Sequence, residues 1–273
     1  MNSSVINILR CPVCRSAMET TDQKVCRCLG SRTHCFDFAK SGYINLGGPQ
    51  TGEGDLKDAV IARRTFLDAG YYQMLSDKLN TLLDEIPSKT LLDAGCGEGY
   101  YTNRMAKNRD VLGIDLSRAG VDYAARRAKQ MPSDAAFCVA SIFSLPVLDS
   151  SVDVVTNLFA PCSEEEFTRV LKPGGYVVLV GAGERHLMGL KQVLYDDPYS
   201  NPGRADLPKH MELIQALHLR SEITVEGREQ IQCLFSMTPY YWRTSPKDRA
   251  KLESVENLTT EVDFDIFLFR KGL

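Results

Sequence analysis

Apolar residues recur at helical spacing from Leu56 to Ala69, with Val60, Ile61, Phe66 and Leu67 on one side and Arg63 and Arg64 on the other. The pattern predicts an amphipathic helix, and a second is expected from about Tyr71 to Glu85. From there strand and helix patterns alternate. Strands are expected near Leu91, at Asp110–Asp115, at Ala136–Ala140, at Val152–Phe159 and at Gly175–Val180, with helices from Tyr100 and over Ser117–Gln130 between them. Such alternation predicts an α/β fold, a mainly parallel sheet with helices on both faces. Strand-like runs at Leu219–Val225 and Val262–Phe269 read as the pair that closes the sheet. Phe137 and Val139 read as packing of the third strand, and the Ala140-Ser141 end as the part of it beside a ligand bound at the carboxyl ends of the strands. Before the first long helix, Gly42, Gly47, Gly48, Pro49, Gly52 and Gly54 mark a turn-rich linker, with a boundary near Gln50. The expected division is a small module over residues 1–46, a linker over 47–57 and a large domain over 58–273.

The run LLDAGCGEGYYT, Leu91 to Thr102, changes this picture from a fold to a site. An apolar strand start ends in Asp93 and is followed by Gly95, Gly97 and Gly99. Glycines let the backbone turn sharply against a ligand, and the helix behind them offers its free N–H groups. A dinucleotide fingerprint needs a third glycine where Tyr100 stands. Glu98 at the helix mouth would repel a pyrophosphate and suit a cationic ligand. Asp115, 20 residues after Gly95, stands at the usual distance for a carboxylate that takes ribose hydroxyls. A ligand with adenosine, an ammonium and a sulfonium but no phosphate fits, which is S-adenosylmethionine.

Nine cysteines, five of them in the first 35 residues, add a second centre. No signal-peptide pattern opens the chain and no apolar run approaches the roughly 18 residues of a membrane span, so a cytoplasmic protein is expected. Thiols there favour metal ligation over disulfides. Cys11-Pro-Val-Cys14 is a knuckle that can offer two thiolates to one tetrahedral zinc. The second pair is expected from Cys28 and His34, with Cys26 and Cys35 competing. A segment of this size builds little core alone, so a metal staple is expected to hold it, and loss of the metal to unfold it while leaving the downstream domain largely folded.

The net charge of −3 excludes a general polycation, although the first 64 residues hold nine basic against six acidic side chains. Phe159-Ala160-Pro161-Cys162 follows the fourth strand, where many nucleobase-amine methyltransferases carry Asn-Pro-Pro-aromatic. Ala160-Pro161 offers only backbone oxygens, which favours a ring nitrogen over an exocyclic amine as methyl acceptor. Cys162 reads as structural. His186, just after a strand end, reads either as facing the cofactor or as a surface cap. Trp242, the only tryptophan, stands beside Tyr240, Tyr241 and Arg243. That cluster reads equally as a buried corner or as a stacking surface for an exposed base.

Taken in order, CPVC, HCFDFAKSGYINL, ARRTFLDAGYYQ, LLDAGCGEGYYT, FAPC, ERHLMGLK and MTPYYWR resemble the large-subunit (23S) ribosomal RNA guanine-N1 methyltransferases, across nearly the whole chain. That family acts on a guanine in a hairpin loop and includes macrolide-resistance members. The resemblance implies a Rossmann-like class I methyltransferase domain with a seven-stranded, mostly parallel sheet, an N-terminal zinc-ribbon-like RNA-binding module, S-adenosylmethionine and Zn2+ as cofactors, and a homodimer. It implies zinc ligands Cys11, Cys14, Cys28 rather than Cys26, and His34. Cofactor contacts would be Tyr72, Gly97, Glu98, Asp115 and His186, joined to Asp93 and Gly95 of the glycine turn. Ala160 and Pro161 are candidates for holding the guanine, and Arg63, Arg64, Trp242 and Arg243 for touching RNA. The sequence names no general base.

Overall fold

The glycine turn and the acidic strand ends point the same way because the strands that carry them run parallel. The computed structural model describes residues 3–20, 24–48 and 55–273. Gln50, Gly52, Gly54 and the expected boundary lie outside them.

Strands β1 (Met18–Thr20), β2 (Val25–Cys28) and β3 (Cys35–Asp37) form a small antiparallel sheet behind the short helix α1 (Ser3–Ile6). The large sheet contains β4 (Ile44–Asn45), β5 (Thr90–Ala94), β6 (Asp110–Asp115), β7 (Ala136–Val139), β8 (Val152–Leu158), β9 (Leu171–Ala182), β10 (Glu212–Glu226) and β11 (Asn257–Arg270). Its order is β10-β11-β9-β8-β5-β6-β7-β4. From β9 to β4 the strands are parallel, and β11 and β10 run antiparallel at the other edge. Lys172-Pro173-Gly174-Gly175 bulges between the pairs Val152↔Leu171 and Val154↔Tyr176.

Helices α2 (Lys57–Asp68) and α3 (Gln73–Asp84) match the predicted amphipathic pair. They bury Val60, Phe66, Leu67, Leu75, Leu79, Leu82 and Leu83. Helices α4 (Tyr100–Met105) and α5 (Arg118–Ala128) follow β5 and β6. Ser117 caps α5 by accepting from the Gly120 N–H, satisfying a donor the first turn leaves free. The remaining helices include α6 (Glu164–Val170), α7 (Met188–Leu194), α8 (Arg228–Ser236) and α9 (Tyr240–Arg243). Phe137 is buried as expected, its ring filling the space where a Cβ on Gly113 would stand at 2.8 Å. No helix among the described residues is long and apolar enough to cross a membrane.

Two features differ from the sequence expectation. The sheet gains an eighth strand, β4, because Tyr43-Ile44-Asn45-Leu46 crosses from the module to the open edge of β7 and pairs Ile44↔Cys138 and Asn45↔Val139. The module also shares its core with the large sheet: Val5, Ile6, Leu9, Met18 and Cys28 pack in one cluster with Leu92, Leu112, Ile114 and Val147. Arg10 N–H donates to the Pro146 carbonyl at 2.9 Å, which ties the two backbones together. The expectation that the module stands or falls alone does not fit this packing, since its apolar residues find their partners in the large domain.

Candidate active site and metal centre

At the N-terminus, the knuckle closes through an Arg15 N–H to Cys11 carbonyl bond of 2.9 Å, with Arg15 in the left-handed region at φ 63°. The hairpin then delivers Cys28 and His34, whose Sγ and Nδ1 lie 3.4 Å apart. Cys14 Sγ to Cys28 Sγ is 3.5 Å and Cys11 Sγ to His34 Nδ1 is 3.7 Å. All four donor atoms fall within 4.8 Å of one another. Ligands at ordinary zinc bond lengths span tetrahedral edges of roughly 3.6–3.8 Å, so the donor set fits the ion in type and in spread. Cys26 is not part of the cluster. Its thiol is buried, and burial pushes it up to about 11. Cys35 is exposed and also stands apart.

The second centre is a cleft of about 1000 Å³ at the carboxyl ends of β5, β6, β8 and β9. Gly95 sits at φ +92°, and a Cβ there would come within 2.5 Å of the Ala160 Cβ, so only glycine fits the floor of the turn. Gly99 meets Ala124 of α5 equally closely, at 2.6 Å. It is thus the close helix crossing, and Tyr100 beyond it is free to be large. Asp115 accepts from Gly97 N–H (2.9 Å) and Ser117 N–H (2.7 Å), which leaves further lone pairs on both oxygens. Burial raises its pKa, against those two bonds. Asp93 lies deeper, accepting from Thr102 Oγ1 (2.6 Å) and Thr156 Oγ1 (2.8 Å), and burial lifts it to about 6. It orders the turn from beneath. Glu98 is buried and accepts from Tyr100 N–H at 3.2 Å. Burial raises its pKa, and the nearby Arg63 works in the opposite direction.

Arg63, expected to face RNA, instead forms the cleft wall. It pairs with Asp55 at 2.6 Å and sits among Asp55, Glu98 and Asp115. The helical pattern placed it correctly opposite the apolar stripe, but that side of α2 faces the glycine turn. Arg64 is exposed, pairs with Asp68 at 3.4 Å and stacks over Tyr123, away from the cleft. Tyr72 and His186 are both buried in the cleft wall and meet at 3.2 Å. Of the two readings of His186, the surface cap is thereby set aside.

Ala160 and Pro161 line the cleft, but their carbonyls are already engaged: Arg204 Nη2 donates to the Ala160 oxygen (2.7 Å) and Asn157 Nδ2 to the Pro161 oxygen (3.1 Å). The loop is held from behind, and the side chain it shows the cleft is Phe159, at φ 55° and 47% exposed. Burial lifts the Cys162 thiol to about 11, in keeping with a structural role. Trp242 is 69% exposed at the mouth and Arg243 is exposed beside it, while Tyr240 is the buried member of the cluster.

Sequence reading missed the segment from Tyr199 to Asp206. Its Asn201, Arg204 and Asp206 line the cleft, yet SNPGRAD carries no periodicity and only loop composition. It also missed Lys191, a buried cation whose Nζ donates to the Tyr199 carbonyl and to Asn201 Oδ1, both at 2.8 Å. In sequence it is one of two adjacent polar residues, with Gln192, on a short, otherwise apolar helix.

Comparison with known proteins agrees with both centres. The "RlmA, N-terminal" zinc-ribbon family matches residues 9–47, and a "Methyltransferase domain" family matches residues 87–219. A protein of Bacillus subtilis (strain 168), named as a candidate 23S rRNA (guanine-N(1)-)-methyltransferase, is 30% identical over 97% of this chain and 98% of its own length. A similarly named candidate of Micromonospora griseorubida is 31% identical over 90% of each chain. The 23S rRNA (guanine(748)-N(1))-methyltransferase of Streptomyces fradiae is 28% identical over 97% of this chain and 98% of its own. With a cysteine and histidine cluster at one end, a methyl-donor turn in the sheet and likeness running through both, the chain belongs to the 23S ribosomal RNA guanine-N1 methyltransferase family.

Proposed function

We propose that the protein transfers a methyl group from S-adenosylmethionine to N1 of a guanine in a hairpin loop of 23S ribosomal RNA, in the cytoplasm. The observation that carries this reading is the mouth of the cleft. Phe143, Phe159, Tyr199 and Trp242, all substantially exposed, surround an opening whose floor is the glycine turn. Exposed aromatic rings around one opening suit a base taken out of its stack, and a base must be extruded before its Watson–Crick edge can be reached.

S-adenosylmethionine, when bound, supplies an activated methyl group on a sulfonium. Asp115 would accept from the ribose hydroxyls, Glu98 would face the cationic end and Arg63 the donor's carboxylate. Gly95 and Gly97 would let the backbone close on it. Tyr72 and His186 close the wall opposite. Positioning would supply most of the acceleration. The zinc module and the Trp242–Arg243 corner would grip RNA, with Cys11, Cys14, Cys28 and His34 holding Zn2+. A homodimer would lengthen the grip. The exposed edge strand β10, with Leu213 and Ile214 open to solvent, is the face offered for it, and light scattering of the purified chain tests this.

The discriminating experiment supplies labelled S-adenosylmethionine with unmodified 23S rRNA transcript, free small amines and protein in separate reactions. Label is expected in the RNA alone, with a primer-extension stop at one guanine, because a methyl on N1 blocks pairing. Label in the amines or protein, or RNA label without a stop, would overturn the reading.

A further inference from the structure

The N1 nitrogen of guanine carries a proton that must leave as the methyl arrives, and the cleft offers few places to put it. Among the described residues five carboxylates line it: Asp55, Asp93, Glu98, Asp115 and Asp206. Asp55 is paired with Arg63, Asp93 holds two threonine hydroxyls, and Glu98 and Asp115 brace the backbone of the glycine turn and α5. Those four occupy the side where the methyl donor would lie. His186 has no lone pair to give, since its Nδ1 accepts from the Asp263 N–H at 3.1 Å and its Nε2 faces Tyr72.

Asp206 stands on the other side, beside the loop Phe159 to Cys162. Its Oδ2 accepts from the Cys162 N–H at 2.6 Å, and its Oδ1 accepts from Arg204 Nε at 2.7 Å. The Arg204 side chain is almost wholly buried, at 7% exposure, and each of its three nitrogens donates. Its Nη1 donates to the Val180 carbonyl (2.9 Å), and its Nη2 donates to Asn157 Oδ1 (2.6 Å) and the Ala160 carbonyl (2.7 Å). The guanidinium therefore serves as a fixed bracket for the carboxylate rather than as a ligand group. Asp206 itself is 43% exposed, and Oδ1 retains a lone pair. The same bracket holds Ala160, whose Cβ packs on Gly95, so Asp206 is tied through one guanidinium to the floor of the methyl-donor turn.

Guanine presents its N1–H as a donor that matches the open lone pair of Oδ1, while Oδ2 is taken by the Cys162 N–H and by Arg204 Nη2 at 3.3 Å. We propose that Asp206 is the catalytic proton acceptor of this enzyme: its Oδ1 accepts from the guanine N1–H and takes the N1 proton during transfer. As N1 forms its bond to the methyl carbon, the N1–H bond breaks toward Asp206 Oδ1, the C–S electron pair stays on sulfur, and the carboxyl then releases the proton to water. Arg204 is the positioning residue. The role rests on the guanine-N1 reading of the cleft.

The titratable groups beside this bracket are Cys162 from the loop, whose thiol is kept protonated by burial, and Glu164 of α6. Glu164 is itself bonded to the Lys209 and His210 N–H groups, with His210 Nδ1 at 3.3 Å. The test uses the full chain, S-adenosylmethionine and unmodified 23S rRNA transcript from pH 6 to 9.5. His210→Gln serves as a control that removes that histidine from the profile. Asp206→Asn is expected to bind S-adenosylmethionine within about twofold of the parent and, at saturating RNA, to lose a factor of about 10²–10³ in single-turnover rate, the range of general-base catalysis. Its rate should climb tenfold per pH unit toward the alkaline end, as guanine sheds the proton unaided, so the gap to the parent narrows. Asp206→Glu should recover part of the loss at pH 7. If Asp206→Asn does not fold, Asp206→Ser, which retains an acceptor for the Cys162 N–H, takes the same test. A rate within threefold of the parent, or a deficit constant across pH, would overturn the proposal. If the parent chain leaves no N1 methyl on the RNA, the underlying reading fails instead, before any variant is compared.

Discussion

Tyr72 Oη lies 3.2 Å from His186 Nε2, while His186 Nδ1 accepts from the Asp263 backbone N–H at 3.1 Å. The backbone can only donate, so Nδ1 is bare, Nε2 carries the proton, and Tyr72 accepts it. The phenolic hydrogen of Tyr72 is then left to point elsewhere, and the residue lines the cleft. Two residues 114 positions apart in sequence thus form one donor unit. Tyr72→Phe removes the donor and keeps the ring against Phe66 and Phe264. It should weaken binding of S-adenosylmethionine about fivefold, the worth of one ordinary hydrogen bond, and also lower the melting temperature, because the buried His186 Nε2–H loses its acceptor. Titration calorimetry of the two proteins measures it, and equal affinities would remove Tyr72 from the site.

The same pair sets an acid limit on stability. Burial drives His186 down to about 3 from its ordinary 6.5. The folded chain therefore refuses a proton that the unfolded chain accepts, and stability is fully present above pH 6.5 and lost as pH falls from 6.5 toward 3, by up to about 1.4 kcal/mol per unit. Asp93, lifted to about 6, acts in the opposite sense between pH 6 and 4, because the folded state relieves its burial cost by taking a proton. Comparison with His186→Gln separates the two, since glutamine can accept from Asp263 and donate to Tyr72 but does not titrate. Melting curves from pH 7.5 to 4.5 should show the parent losing stability relative to the variant. Parallel curves would show that His186 is not held neutral by burial.

Glu98 and Arg63 show how far the site was legible in the sequence. Gly95 and Glu98 stand in one turn and Asp115 ends the next strand 20 residues after Gly95, so turn chemistry and the usual spacing of a ribose-binding carboxylate were enough to place them together. Arg63 was read from helix periodicity alone, which tells a polar side from an apolar one but not what the polar side faces. Asp206 and Arg204 were invisible because they come from an irregular loop that reaches the cleft only after the whole sheet is assembled. The hairpin, being local, made Cys28 and His34 recoverable as a second ligand pair with Cys26 and Cys35 competing, and the family resemblance chose Cys28 over Cys26. The strand Ile44–Asn45, which depends on an edge 94 residues downstream, was not recoverable.

For Glu98 the expected variant effect follows from charge. It is buried beside Arg63, and the acidic group that a cationic donor would meet disappears in Glu98→Gln without change of shape. Affinity for S-adenosylmethionine should fall by about tenfold, while affinity for the neutral-sulfur product S-adenosylhomocysteine falls less. Fluorescence titration with both ligands measures the difference. An equal loss for both would assign Glu98 to the ammonium or the turn rather than to the sulfonium.

The shared core makes a prediction about metal removal that the sequence alone reversed. Cys11 and Cys28 are buried in the cluster that includes Leu92 and Leu112 of the parallel sheet. A chelator that strips the cluster should therefore lower the melting temperature of the whole chain in one transition, rather than melting residues 1–46 and sparing the rest. Cys14→Ser, at the exposed corner of the cluster, should do the same in milder form. Differential scanning calorimetry with and without chelator decides it. A separate early transition followed by an unchanged main peak would show that the module's packing on the sheet carries little energy.

Trp242 and Arg243 are adjacent and exposed at the mouth of the cleft, yet they should fail in different ways when removed. Trp242 leans edge-on against Tyr241 with ring centroids 5.0 Å apart, which leaves its faces open to a base. Stacking of this kind is worth about 1–3 kcal/mol and responds weakly to salt, so Trp242→Ala should reduce RNA affinity by roughly tenfold or more at every ionic strength. Arg243 has a charge to give a phosphate, and each such contact releases a counterion. Arg243→Ala should therefore lower the slope of log affinity against log salt by about 1, with its deficit fading as salt rises. Neither change should alter binding of S-adenosylmethionine, because both residues lie across the cleft mouth from the glycine turn. Filter binding of 23S rRNA transcript from 50 to 300 mM salt separates the two behaviours. If both variants lose affinity in parallel, the corner acts as one electrostatic patch and the stacking role of Trp242 is wrong.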